Sequence, residues 1–204
     1  MFTLIYLLST TTSAIQIPEN SLESNLIVNY HNSIRSLFAK GEIFAPKPPA
    51  ANMQKMVWDS GLAMFAEQHV LVKPTINPKL PGTSFFYRSH INDLKMTIHE
   101  ALFVWESELF EKSWEPNTSI NFDSLSNGLQ MIWAKTNKIG CAFDEWTSPS
   151  NNQNHTIFVC RYGEKIGKAK NSGRDKTIYL EGKYCSKCPI NNECEKSSGL
   201  CIEK

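Results

Sequence analysis

All six cysteines of this 204-residue chain lie in its last third: Cys141, Cys160, Cys185, Cys188, Cys194 and Cys201. Four of them fall between Cys185 and Cys201, a stretch too small to bury a core of its own. In an oxidising compartment two disulfides would hold such a segment, and sequence alone leaves three pairings open. The rival reading is a four-thiolate zinc site, because Cys185-Ser-Lys-Cys188 has ligand spacing. A secreted chain would oxidise these thiols, which favours the disulfides.

The N-terminus agrees with secretion. Phe2 to Leu8 is an apolar run too short to span a bilayer, and Thr12-Ser13-Ala14 offers small residues to a signal peptidase. Residues 1–14 read as a signal peptide, although the usual basic start is missing. No later segment is apolar for long enough to make a transmembrane span. Asn117-Thr-Ser and Asn154-His-Thr are sequons usable for glycosylation in the same compartment. Lys plus Arg number 21 and Asp plus Glu 20, a net charge of +1, so neither nucleic acid nor an anionic membrane is expected as the main partner.

Helical spacing dominates the first two thirds. Ser21 to Lys40 reads as a helix stopped by Gly41, with Leu26, Tyr30, Ile34, Leu37 and Phe38 recurring along it. Pro46, Pro48 and Pro49 mark a loop. A second helix starts after Asp59 as N-cap, and Pro74, Pro78 and Pro81 break the chain beyond it. A third runs from about Ile91 to Lys112, and a fourth covers Ser124 to Thr136. The pattern then changes to strands over Ile139–Trp146 and Thr156–Tyr162, with a short further strand at Thr177–Leu180. Helices first and strands later predict an α+β fold, not a doubly wound parallel sheet.

Five segments in order carry a family resemblance. Tyr30-His31-Asn32-Ser33-Ile34-Arg35 resembles a first-helix signature. Met53 to Ala63, with Trp58 and Asp59, resembles the entry to the second helix. Trp105-Glu-Ser-Glu108, then Gln130-Met-Ile-Trp133 followed by Gly140-Cys141-Ala142, and finally Val159-Cys160-Arg161-Tyr162 with Gly167, complete the set. Together they are similar to the cysteine-rich secretory/antigen/pathogenesis-related (CAP) superfamily, in particular its invertebrate venom-allergen-like and activation-associated secreted proteins.

The resemblance implies a three-layer α/β/α sandwich over residues 21–170 and a small cysteine-rich, hinge-like tail over residues 171–204. It implies a Cys141–Cys160 bridge, worth about 3 kcal/mol in the chain-entropy model, and tail bridges Cys185–Cys194 and Cys188–Cys201. A further bridge of many relatives has no counterpart here, because its positions fall near Lys73 and Asp144 to Trp146.

In the family, two His and two Glu line a central cleft and can hold a divalent metal, for which imidazole and carboxylate are suited donors. This sequence retains one of the four, Glu108; Asn77 and Asn127 stand where the histidines would be, and no acidic residue lies between Gln68 and Asn92. No cofactor is therefore expected. His69, His90 and His99 are the candidates for a rearranged metal site with Glu108, His31 reads as structural, and His155 is expected to face solvent. Glu106 and Glu111 read as a solvated helix face, and Phe85, Phe86 and Tyr87 as core, with contact to an apolar ligand or protein as the other use.

The cysteines look oxidised, and neither a nucleophile elbow nor a phosphate-cradling glycine loop occurs. The resemblance then implies a secreted, non-enzymatic binding protein or effector whose partner is a small lipid, a sterol or an extracellular receptor. The alternative is a metal-dependent hydrolase using a rearranged cleft. A channel-blocking toxin is disfavoured, since toxin-like relatives carry a further module beyond the hinge.

Overall fold

A computed structural model describes residues 14–43, 47–72, 82–89, 93–111, 114–116, 126–163 and 177–204. Strand β1 (Ile15–Gln16) leads into helix α1 (Leu22–Lys40). The Ser21 hydroxyl accepts from the Ser24 N–H at its start, and Gly41, at φ 70°, ends it in the left-handed conformation that glycine adopts without strain. Strand β2 (Val57–Trp58) precedes α2 (Ser60–Leu71), whose N-cap is Asp59: its Oδ1 accepts from Leu62 N at 2.9 Å. Then come β3 (Thr83–Ser89), α3 (Leu94–Glu111), a short α4 (Asn127–Met131), β4 (Lys138–Thr147), β5 (Asn154–Tyr162), β6 (Asn192–Glu195) and β7 (Leu200–Glu203).

The main sheet runs β1-β4-β5-β3, antiparallel throughout that path. β1 and β2 share the outer edge of β4: β1 pairs near Phe143, and β2 pairs in parallel near Lys138. Alternation along β5 divides the core. Phe158, Cys160 and Tyr162 face the larger cluster, with Ile34, Phe38, Leu102 and Trp105 from α1 and α3. Ile157 and Val159 face the smaller one, with Ala66 and Val70 of α2. Helices therefore cover both faces of the sheet. Cys141 lies directly opposite Cys160, and their disulfide spans Cα atoms 4.1 Å apart. Gly140 lets α2 lie on β4; a Cβ there would stand 2.1 Å from Ala63 N.

Several sequence expectations shift. Helix α3 begins at Leu94 rather than near Ile91, because Asp93 Oδ1 accepts from Met96 N at 2.7 Å and starts the helix there. Helix α4 stops at Met131 instead of reaching Thr136, because the carbonyls of Met131, Trp133, Ala134 and Thr136 turn toward the Arg35 guanidinium. Residues 177–180 form no strand, since their backbone groups bond to separate places. Ile178 N donates to Pro116 O, Leu180 N to the Asn52 side chain, and Ala134 N to Ile178 O. Strand β3, unanticipated, places Phe85 and Phe86 in the core on opposite faces of the sheet.

The cysteine-rich tail packs into the domain rather than standing off as a hinge. Ile178, Tyr179 and Leu200 belong to the main core cluster. Cys201 N donates to Met53 O and Lys55 N donates to Cys201 O, each at 2.8 Å. Bridges Cys185–Cys194 and Cys188–Cys201 close the segment. Among the described residues, no helix is long and apolar enough to cross a membrane.

Candidate functional site

Helix α3 is anchored by Trp105, whose fully buried ring stacks on Phe158 at 5.6 Å while its Nε1 donates to Phe85 O at 3.2 Å. One turn later Glu108 meets the start of α4. The close approach depends on Gly128, where a Cβ would lie 2.3 Å from Trp105 O. Free N–H groups at a helix start favour a carboxylate, and Glu108 Oε2 accepts from Gly128 N at 3.1 Å. Its Oε1 accepts from Asn127 Nδ2 at 2.8 Å. Asn127 Oδ1 in turn accepts from Phe85 N at 3.0 Å, and because a backbone N–H can only donate, the orientation of the amide is fixed. Asn127 thus clips α3 to β3.

A second chain of polar groups continues inward. Ser84 Oγ donates to Tyr162 Oη at 3.3 Å, and Tyr162 bonds His31 Nε2 at 2.9 Å. His31 Nδ1 lies 2.8 Å from Ile27 O, which can only accept, so the proton sits on Nδ1 and Nε2 takes the phenol proton. Burial pushes the His31 pKa down to about 4 against a raising effect of the Ile27 hydrogen bond, so the ring is neutral. Burial also raises the Tyr162 phenol, which keeps its proton. Nothing in the spacing of Ser84 and Tyr162 signals this role; Tyr162 was visible only as the end of the last motif.

The other motif residues hold backbone. Asn32 clasps Met56, donating to its carbonyl at 2.9 Å and accepting from its N–H at 2.7 Å. Arg35, fully buried, donates to Gln54 O, Met131 O, Trp133 O, Ala134 O and Thr136 O. Trp58 is half-buried against the core, Trp133 lies within it, and Asp59 Oδ2 pairs with Lys138 Nζ at 3.5 Å. Gln130 is fully buried, and neither of its amide atoms has a hydrogen-bond partner among the described residues.

The histidines do not converge on Glu108. His69 belongs to α2, on the far side of the sheet from α3; burial and the nearby Arg161 charge lower its pKa. His99 is exposed on α3, and His90 lies outside the described residues, as do Asn77 and Asn117. His155 is half-buried rather than turned to solvent as expected: it packs against both Tyr87 and Trp146, which also contact each other, and its Nδ1 lies 2.6 Å from Tyr87 Oη. Asn154 begins β5, its Oδ1 accepting from Thr147 Oγ1 at 2.7 Å. Glu106 likewise accepts a hydrogen bond, from Tyr30 Oη, and so ties α1 to α3. With the neutral amide of Asn127 in place of an imidazole and its NH2 facing Glu108, the described cleft residues do not fit the family's two-His, two-Glu metal set, and Glu108 belongs to no potential ion-holding cluster among the described residues.

The sequence model of the Cysteine-rich secretory protein family, CAP, matches residues 28–162. The chain belongs to the CAP family. Venom allergen 5 of Lycosa singoriensis is 27% identical over 190 residues, which span 82% of this chain and 46% of the spider protein. This CAP chain thus covers less than half the length of that relative. Among solved structures, the hookworm platelet inhibitor superposes with a TM-score of 0.67 at 26% identity, covering 93% of this chain and 95% of the other. NaASP2, whose structure was determined with Zn2+, gives 0.63 at 28% identity, covering 90% and 98%. Similar curated proteins are named as venom allergens and peptidase inhibitors rather than as enzymes. The CAP assignment agrees with the α/β/α layering and the three disulfides.

Proposed function

We propose that this CAP protein is a secreted binding protein or effector without chemistry of its own, acting on a small lipid or sterol or on an extracellular protein receptor. The observation that carries the reading is the hydrogen-bond closure of the cleft remnant: Glu108 spends both oxygens on Asn127 and Gly128, and Asn127 spends its own oxygen on Phe85. An ion-dependent hydrolase would need imidazole and further carboxylate ligands beside Glu108, and its neighbour here is the neutral amide of Asn127, which the Phe85 N–H turns so that its NH2 faces the carboxylate. In this reading residues 1–14 are a signal peptide, residues 21–170 form the binding domain and residues 171–204 form its stapled tail. Asn117 and Asn154 are the glycan acceptors.

The test is native mass spectrometry of the secreted protein with a panel of lipids and sterols, alongside zinc titration of the oxidised chain. A retained lipid or sterol identifies a carrier, and capture of a cell-surface protein without lipid identifies a receptor ligand. Stoichiometric zinc uptake that vanishes in Glu108→Ala would overturn the reading in favour of a metal-dependent hydrolase.

A further inference from the structure

Three of the four tail cysteines bring their sulfurs into one compact cluster. The Sγ atoms of Cys185, Cys188 and Cys201 all lie within 4.8 Å of one another, and Cys194 is bonded to Cys185. A tetrahedral zinc–thiolate centre with bonds of about 2.3 Å has sulfur–sulfur edges of roughly 3.8 Å, so three of the sulfurs stand near that spacing, and opening the bridges would leave Cys194 as the one to move in. The local chain supplies the matching scaffold. Cys185-Ser-Lys-Cys188 is a tight turn entered through a left-handed Cys185, φ 60°. It lies over the β6–β7 hairpin, where Cys194 and Cys201 are directly opposed. Four cysteines with one pair at C-x2-C spacing are a ligand set that structural zinc sites take.

The frame that positions these sulfurs does not rest on the bridges alone. Cys201 is held by backbone bonds to Met53 and Lys55, Ser36 Oγ donates to Ser198 O at 2.6 Å, Lys40 Nζ donates to Ser197 O at 2.8 Å, and Lys55 Nζ pairs with Glu195 at 2.7 Å. Cys201 is buried and Cys185 and Cys188 are half-buried, so a bound ion would be sheltered from solvent.

We propose that the tail is a dual staple: two disulfides under oxidising conditions, and a four-cysteine site for zinc or a similar soft divalent cation once a thiol or phosphine reductant has opened them. Each disulfide takes two electrons and two protons from the reductant and yields two thiols. Binding of one zinc ion by the four thiols then releases four protons and leaves a tetrathiolate centre.

The test uses the full chain, reduced with a phosphine under inert gas and titrated with cobalt(II) and, separately, with zinc. One cobalt per reduced chain, with the visible bands of tetrahedral thiolate coordination, is the expected result; the oxidised chain takes up none. Cys188→Ser weakens binding by more than about tenfold, since even loss of a supporting neighbour costs about that much. Amide exchange distinguishes a built site from metal scavenging by loose thiols: residues 185–201 are expected to regain with zinc the protection they have in the oxidised chain, and to lose it with a chelator. Absence of uptake, uptake unaffected by Cys188→Ser, or uptake without renewed protection would each overturn the proposal.

Discussion

His31 Nε2 accepts the phenol proton of Tyr162 at 2.9 Å, across 131 positions of sequence, in an interior that holds both rings away from water. The histidine belongs to the first-helix motif and the tyrosine to the last, so the contact joins α1 to β5.

Acid should therefore loosen the fold through His31. Its folded pKa is about 4 against an ordinary 6.5. Between those values the unfolded chain binds a proton that the folded chain refuses, so stability falls as pH falls through that window. The contribution is about 2 kcal/mol between pH 7 and pH 4.5. Urea unfolding of the parent and of His31→Gln at both pH values checks this: the variant should lose that part of the pH dependence, and an unchanged slope would refute it.

The Glu108 clip faces two donors, Asn127 Nδ2 and Gly128 N. Glu108→Gln presents an NH2 group to at least one of them, so it should cost nearly as much as Glu108→Ala, about 1.5–3 kcal/mol. Asn127→Ala removes the bonds to both Glu108 and Phe85 and should cost a similar amount. Denaturant midpoints decide, and a neutral Glu108→Gln would mean that the carboxylate is not what the site requires.

Arg35 donates to five backbone carbonyls from within the core. A lysine offers a single ammonium and cannot span them. Arg35→Lys should destabilise by at least about 3 kcal/mol, with the earliest exchange of backbone amides over residues 131–136. A loss under about 1 kcal/mol would show that the carbonyls find other donors.

Gln130 is the counter-case, a buried amide without a partner among the described residues. Replacing it with an apolar side chain of similar volume removes an unmet desolvation cost. Gln130→Met should be neutral or stabilising by about 1 kcal/mol. A loss of more than about 2 kcal/mol in thermal or urea unfolding would point to a bound internal water that the amide serves.

Local chemistry was legible and non-local chemistry was not. Ser21, Gly41 and Asp59 declared helix ends because a cap is a contact between near neighbours. β3 escaped because Thr83, Ser84, Phe85 and Phe86 are all buried and leave no polar alternation to read. The fourth helix is shorter than its apolar pattern predicts for the opposite reason. Leu129, Ile132 and Trp133 are all buried, as in a helix, but Arg35, nearly a hundred residues earlier, takes the carbonyls that a helix would have used. In the cleft, the sequence shows Asn127 where a histidine is expected. That Asn127 binds Phe85 needs the fold, because no spacing rule links positions 42 residues apart.

The seating of the tail has a consequence for biosynthesis. Ala51 and Lys55 donate their N–H groups to Leu180 and Cys201, and the buried Leu200 fills part of the main core. A ribosome that has delivered only the first 170 residues has therefore made a domain with an open seam and unmatched backbone along residues 51–55. Closure waits for residues 178–201, so the interval before they emerge is when the nascent chain is most exposed to misassociation, and when a chaperone would have most to do.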